Sequence, residues 1–204
     1  MVSINLSVGY QNVDGLHSDL FGCKLNNEIN FSCDIEIISE TWTSCEKCLA
    51  EAKIPGYEPV TKVKPEKKGK KGRSSGGIQI YCKTLLKDSI KEIKSTDKYV
   101  WLEVPKTMFH DLASNLKICA IYSQPSLSSY YRESVWDDLE SDIVRLSKDN
   151  SPICIVGDMN GRTGERPDFE LADKYVKSIP SSIIKTCRKS CDNRQENSIF
   201  MQVI

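Results

Sequence analysis

Ile153-Cys154-Ile155-Val156-Gly157-Asp158-Met159-Asn160 is the stretch on which the fold reading turns. Its first four residues form a near-continuous apolar run, as in strands covered on both faces. The run stops at Gly157-Asp158, a good turn dipeptide, so a carboxylate follows the end of a buried strand. In open α/β sheets, sites gather in the crevice beyond the carboxyl ends of strands. Three other apolar runs end in the same way. Ile4, Leu6, Val8 and Tyr10 alternate with Asn5, Ser7, Gly9 and Gln11, a clean period of two that ends at Asn12. The short β-branched run from Ile35 to Ser39 ends at Glu40, within Ser39-Glu40-Thr41-Trp42. The run from Ile118 to Ile121 ends at Tyr122. Any one of these polar residues, taken alone, reads first as a strand cap or the start of a turn. Together they form a site only if the four strands are neighbours.

Further strands are expected where Ile78, Ile80 and Cys82 alternate with Gln79 and Tyr81, and over the aromatic and β-branched run from Tyr99 to Val104. Val135, Trp136, Leu139, Ile143 and Leu146 fall at helical spacing among Asp, Glu, Arg and Lys, with Ser128 or Ser129 as N-cap. Residues 20–31 form a weaker helix pattern, and a short helix near residues 45–52 ends before Pro55-Gly56. Interleaved strands and helices, with hairpins among the middle strands, point to a mixed sheet covered by helices.

The 204 residues are expected to form one domain, 1–204. At 39% hydrophobic and 27% charged residues, the chain is neither disordered nor membrane-spanning in composition. No apolar leader follows Met1, and the expected location is intracellular, cytoplasmic or nuclear. A net charge of zero excludes a uniformly basic nucleic-acid binder, but the distribution is uneven. Residues 62–73 carry seven Lys and Arg against the single Glu66, inside a Lys/Gly/Ser-rich stretch, 62–77, that reads as an exposed loop. Its Lys67, Lys68, Lys70, Lys71 and Arg73 are either a solvated face or contacts to a phosphate backbone. Nine cysteines are present, with one C-x-x-C at Cys45 and Cys48. A zinc site wants a second pair. Cys187 and Cys191 are spaced wrongly for one, and His17 and His110 are the only histidines, so reduced thiols are the better reading.

Chemically, Glu40 and Asp158 offer hard oxygen ligands suited to a divalent cation, and Mg²⁺ often takes only one or two carboxylates while keeping several waters. Asn12 and Asn160 offer hydrogen bonds to a phosphate or water, and Tyr122 offers a donor to a phosphoryl oxygen.

Six segments, in chain order, resemble the endonuclease/exonuclease/phosphatase superfamily, and more narrowly the apurinic-type endonuclease domain of non-long-terminal-repeat (non-LTR) retrotransposons. They are Asn12-Val13-Asp14-Gly15-Leu16, Ser39-Glu40-Thr41-Trp42, Ile54-Pro55-Gly56-Tyr57, Ser75-Gly76-Gly77-Ile78, Ile121-Tyr122-Ser123-Gln124-Pro125, and Gly157-Asp158-Met159-Asn160-Gly161-Arg162-Thr163-Gly164. Arg162-Thr163-Gly164 favours the retrotransposon branch. The resemblance implies a four-layer α/β sandwich, two mixed β-sheets flanked by helices, and Mg²⁺- or Mn²⁺-dependent phosphodiester hydrolysis on DNA.

Carried over by the resemblance, Glu40 is the principal metal ligand. Asn12 supports the metal shell and the phosphate, and Tyr122 contacts the scissile phosphate. Asp158 lies close to the metal and orients or activates the attacking water. Asn160 stabilises the pentavalent state. A reverse transcriptase encoded downstream is the implied partner; no membrane and no small-molecule cofactor are expected. The family's last strand carries a Ser-Asp-His motif, which is nowhere in these 204 residues. His110-Asp111 and His17 fall at other places in the order. The domain is therefore expected to be incomplete at its C-terminus and its activity impaired, with residues 188–204 leading into a helix before the family's last strands. Two other readings stand beside the nuclease: a non-catalytic nucleic-acid-binding remnant, and a phosphatase of the same superfamily.

Overall fold

The computed structural model describes residues 6–16, 31–43, 54–69, 74–108, 112–160 and 199–203. Nine strands form two sheets: β1 (Val8–Asn12), β2 (Ile35–Ser39), β3 (Tyr57–Val63), β4 (Ile78–Lys83), β5 (Lys91–Ser95), β6 (Tyr99–Val104), β7 (Leu116–Tyr122), β8 (Ile153–Asp158) and β9 (Ile199–Val203). One sheet has the order β1-β2-β4-β3 and the other β5-β6-β7-β8-β9. Each mixes antiparallel pairs with one parallel pair, β1 with β2 and β7 with β8. A single long helix, α1 (Ser134–Leu146), is seen among the described residues.

The period-two alternation sorts side chains between two faces of each sheet. Val8, Tyr10, Ile35, Ile37, Ile78, Ile80 and Cys82 from one sheet meet Val100, Leu102, Leu116, Ile118, Ala120, Cys154 and Val156 from the other in the central core. The opposite residues of the second sheet, Tyr99, Trp101, Cys119, Ile121, Ile153 and Ile155, pack on Val135, Leu139 and Leu146 of α1. Val13, Leu16, Ile38, Ile54 and Tyr81 form a third cluster on the outer face of the first sheet. The architecture is the α/β sandwich of two mixed sheets.

Buried polar groups on α1 are matched. Tyr99 Oη donates to Asp142 at 2.9 Å, and Lys117 Nζ donates to the Leu146 carbonyl at the helix end at 2.8 Å.

Several expectations are corrected. β1 begins at Val8, because Ser7 turns aside: its amide and hydroxyl both donate to Asp34 Oδ2, at 2.8 and 2.7 Å. α1 is not capped by Ser128 or Ser129. Residues 125–131 form successive turns, with Ser128 N on the Pro125 carbonyl and Tyr131 N on that of Ser128, and the helix starts at Ser134. The stretch 62–77 is not wholly an exposed loop. Lys62 and Val63 belong to β3, Gly76 and Gly77 are buried, and Glu66 pairs with Ser75 as an antiparallel bridge. β9 lies within the segment expected to lead into a helix, and it pairs antiparallel with β8. The expected helices at 20–31 and 45–52, the Cys45–Cys48 and Cys187–Cys191 pairs, His17, His110 and Lys70, Lys71 and Arg73 lie outside the described residues, apart from Phe31.

Candidate active site

The two parallel pairs end at the same edge of the sandwich. β1 and β2 are in register there as Asn12 beside Ser39, and β7 and β8 as Tyr122 beside Asp158. Asn12, Ser39, Tyr122 and Asp158 each continue the inward stripe of their strand: Val8-Tyr10-Asn12, Ile35-Ile37-Ser39, Ile118-Ala120-Tyr122 and Cys154-Val156-Asp158. The last places of the core stripe are thus polar, and they face one another across the sheets.

Strict alternation would send Glu40 to the other face. Its φ of 54° lies in the left-handed region, which costs a side-chain-bearing residue roughly 1–2 kcal/mol, and the turn brings its carboxylate to the inward group. Asn12 Nδ2 donates to Glu40 Oε1 at 2.9 Å and to Asp158 Oδ2 at 3.4 Å. Tyr122 Oη donates to Glu40 Oε1 at 2.7 Å, and Trp42 Nε1 donates to Glu40 Oε2 at 3.1 Å. Asp158 Oδ1 accepts the Asn160 amide at 2.8 Å, and Asn160 Nδ2 donates to the Ser123 carbonyl at 2.7 Å. Four of the five expected residues therefore share one hydrogen-bonded cluster. Asn160 stands at its rim, exposed, with one amide hydrogen committed to Ser123.

Loops hold this arrangement. Gly15 N donates to the Glu40 carbonyl at 2.8 Å and Leu16 N to that of Thr41 at 2.9 Å, while Trp42 N donates to the Gly76 carbonyl at 3.1 Å. Gly15, at φ 92°, lies so close under the Trp42 ring that a Cβ would sit 2.0 Å from it.

Burial pushes the Asp158 carboxyl above the usual range, although Asn160 and Asn12 bond to it, and the charge of Glu40 adds a smaller push. Burial and the charges of Glu40 and Asp158 push the Tyr122 hydroxyl far above the ordinary phenol range, so it stays a donor. Tyr10 is raised likewise by burial and by Asp158, and it bonds Ser39 Oγ.

The sequence reading assigned no part to Trp42, Tyr10 or Ser39. Tyr10 lies two residues before Asn12 on the same face, and Trp42 two after Glu40, so the spacing held the signal. Of the basic candidates, Lys67 and Lys68 are exposed beside this edge. Lys68 lies 5.1 Å from the centre of the Tyr130 ring, and its Nζ donates to the Ser129 carbonyl.

Among the described residues, no group of three or more His, Cys, Asp or Glu side chains converges. Two carboxylates held near each other by one neutral amide still suit a hard divalent cation, which needs one or two carboxylates and keeps waters. The donor set fits Mg²⁺ or Mn²⁺.

Two parallel strand pairs, one in each of two stacked sheets, end in this cluster, and solved endonucleases share this fold. The chain is similar in structure to the AP endonuclease LMAP from Leishmania major, at 15% identity and a TM-score of 0.53, over 74% of this chain and 53% of that one. It is also similar to the APE2 catalytic domain of Xenopus laevis, at 16% identity and a TM-score of 0.52, over 81% and 62%. The endonuclease domain of TRAS1, a telomere-specific non-LTR retrotransposon, superposes less closely, at 12% identity and a TM-score of 0.40, over 76% and 60%. No family model and no curated protein matches the sequence. The chain spans between half and two thirds of the length of these structures. No helix among the described residues is long and apolar enough to cross a membrane.

Proposed function

We propose that this chain is a divalent-metal-dependent phosphodiesterase that cleaves DNA. The observation that carries the reading is the meeting of Glu40 and Asp158, from different sheets, on the one amide of Asn12, which lies 146 residues from Asp158 in sequence. Folding places the buried Asp158 carboxylate beside the half-buried one of Glu40, and such an arrangement favours a cation.

A Mg²⁺ or Mn²⁺ held by Glu40, with Asp158 and Asn12 beside it, would polarise the phosphodiester and offset its developing charge. The residues do the rest. Tyr122, kept protonated, donates to a phosphoryl oxygen. Asp158, its carboxyl raised by burial, accepts the proton of an attacking water. Asn160 offers its second amide hydrogen to the charged transition state. Asn12 keeps both carboxylates in register. Exposed Lys67 and Lys68, with Lys70, Lys71 and Arg73 in the same stretch, supply backbone contacts that make DNA the favoured substrate. Arg162-Thr163-Gly164 supports placing the chain with retrotransposon endonucleases, and with them a reverse transcriptase partner.

A second reading, binding without turnover, draws on one observation: Lys67 and Lys68 are exposed beside the cluster. The test is supercoiled-plasmid nicking with Mg²⁺ or with chelator, beside Glu40→Ala. Slow, metal-dependent nicking that falls at least roughly 10²-fold in Glu40→Ala supports the nuclease. Nicking that ignores both the metal and the substitution refutes it. DNA binding with no nicking selects the second reading.

A further inference from the structure

Lys98 is 2% exposed. A lysine is almost never so buried unless paired. Its Nζ donates to Glu66 Oε2 at 2.7 Å, to Gln124 Oε1 at 2.6 Å and to the Tyr130 carbonyl at 3.1 Å, which uses all three of its hydrogens. Its own carbonyl accepts the amide of Tyr122 at 3.0 Å. The other oxygen of Glu66 accepts from Arg132, which also donates to Asp97 Oδ2 at 2.6 Å. Two cations and two anions balance, so the network holds no surplus charge.

The three partners of the ammonium belong to different pieces of the molecule. Gln124 follows Tyr122 at the site. Tyr130 lies in the turns after β7. Glu66 anchors the base of the basic hairpin, where its amide and carbonyl pair with those of Ser75 at 2.9 and 2.8 Å. Lys67 and Lys68 come next on one arm, both exposed. On the other arm Gly76 lies so close to Gln124 and Tyr122 that a Cβ would stand 3.0 Å from Gln124 Nε2 and 3.4 Å from the Tyr122 ring. A buried ion pair adds little net stability over well-packed apolar groups, so the consequence of this one is geometric.

We propose that Lys98 is a positioning residue: through Glu66 it holds the basic hairpin at the rim of the phosphate site, so that Lys67 and Lys68 bind DNA phosphates flanking the one at Glu40 and Tyr122. The inference rests on the DNA reading above. Lys98 itself touches no substrate.

The test uses the whole chain and two variants, Lys98→Met and Glu66→Gln, checked for folding by circular dichroism. Three quantities are read: the salt dependence of binding to a short DNA duplex, Mn²⁺ affinity from quenching of tryptophan fluorescence, and the rate of tryptic cleavage after Lys67 and Lys68. In each variant the slope of log affinity against log salt is expected to fall by about two, one unit for each lysine that no longer reaches a phosphate. Mn²⁺ affinity stays within about twofold, and tryptic cleavage speeds up on the order of tenfold as the hairpin opens. If Lys98→Met does not fold, Glu66→Gln decides. An unchanged salt slope, an unchanged cleavage rate, or a fall in Mn²⁺ affinity alongside DNA affinity overturns the proposal. Wild-type protein that shows no salt-dependent DNA binding overturns the underlying DNA reading, while the trypsin comparison still reports whether Lys98 holds the hairpin.

Discussion

Replacing Glu40 with glutamine is expected to make the protein more stable in chelator and blind to metal. Glu40 Oε1 and Asp158 Oδ2 both bond to Asn12 Nδ2, at 2.9 and 3.4 Å, so the two carboxylate oxygens lie within about 6 Å of each other. At an effective dielectric constant near 20, two like charges at that separation repel by about 3 kcal/mol. The Glu40→Gln substitution removes this repulsion. The backbone keeps the same left-handed φ of 54°, so that cost cancels between the two proteins. The loss lies elsewhere. Glu40 accepts from Asn12 and Tyr122 on one oxygen and from Trp42 on the other. An amide has one acceptor oxygen, so its NH₂ must face one of these donors, at a cost of about 1 kcal/mol. The balance is a gain of about 2 kcal/mol, or roughly 4–8 °C in Tm for a chain of this size.

Thermal unfolding followed by circular dichroism, with EDTA and with Mg²⁺, reads both effects. Wild type gains about 2.7 kcal/mol at a metal concentration of 100 times Kd. Glu40→Gln starts higher and does not move. A variant that melts below wild type in EDTA, or that gains as much from Mg²⁺ as wild type does, refutes the argument that these carboxylates form the cation site.

Two further perturbations test the frame around the site. At Gly157 a Cβ would stand 1.8 Å from the Ile121 carbonyl, so Gly157→Ala must separate β7 from β8; a loss of more than about 3 kcal/mol by urea denaturation is expected, and a loss under about 1 kcal/mol would contradict the packing. Burial pushes the Asp142 carboxyl up, but bonds from Lys94, Tyr99 and Arg145 outweigh it and hold the group below the usual carboxylate range. A lowered folded pKa contributes stability that is complete above the unfolded value, about 3.9, and is lost as pH falls through the folded one. Asp142→Asn is therefore expected to cost about 1–3 kcal/mol at pH 7 and progressively less as pH falls below the ordinary carboxylate range, and a cost that does not shrink in acid refutes the assignment.

The strands read from the sequence were legible because each buries a face. Alternation in β1 and β4, the aromatic and β-branched residues of β2 and β6, and the apolar runs of β7 and β8 follow from the two-sided core. β3 and β5 went unread for the complementary reason. Each lies at the edge of its sheet, and most residues of Lys91–Ser95 are exposed. Edge strands carry charge in place of an apolar stripe, which blunts pairing with other chains and also erases the pattern. The misplaced cap at Ser128 or Ser129 has a similar origin. Serine suits turns as well as N-caps, and here the Ser128 hydroxyl accepts the Tyr130 amide at 3.2 Å within a turn. Within the site, the four strand-end residues were visible as interruptions of apolar runs. Lys98 was not. A lysine before a strand reads as solvated, and only the sheet pairing that sets it against Tyr122 reveals its burial.

The strand ends alone do not make the site. Glu40 sits one residue past the inward position of β2, and a regular continuation would turn it away from Asn12 and Tyr122. Its left-handed backbone redirects it, and three more left-handed non-glycine residues, Asp14, Trp42 and Asn160, lie in the same loops with Gly15, Gly76 and Gly77. Such strain persists only where the surroundings over-determine it. Here they do: the carbonyls of Glu40 and Thr41 accept from residues 15 and 16, Trp42 N reaches the Gly76 carbonyl, and both oxygens of the Glu40 carboxylate accept hydrogen bonds. The strain places one carboxylate where the alternation would not, opposite a second that is already costly to bury. Gly76 follows the Glu66–Ser75 bridge directly and accepts from Trp42 N, so this loop system and the base of the basic segment are joined by backbone hydrogen bonds. In the proposed function, a phosphodiester entering there would meet charge of both signs, its negative half set by backbone that was strained when the domain folded.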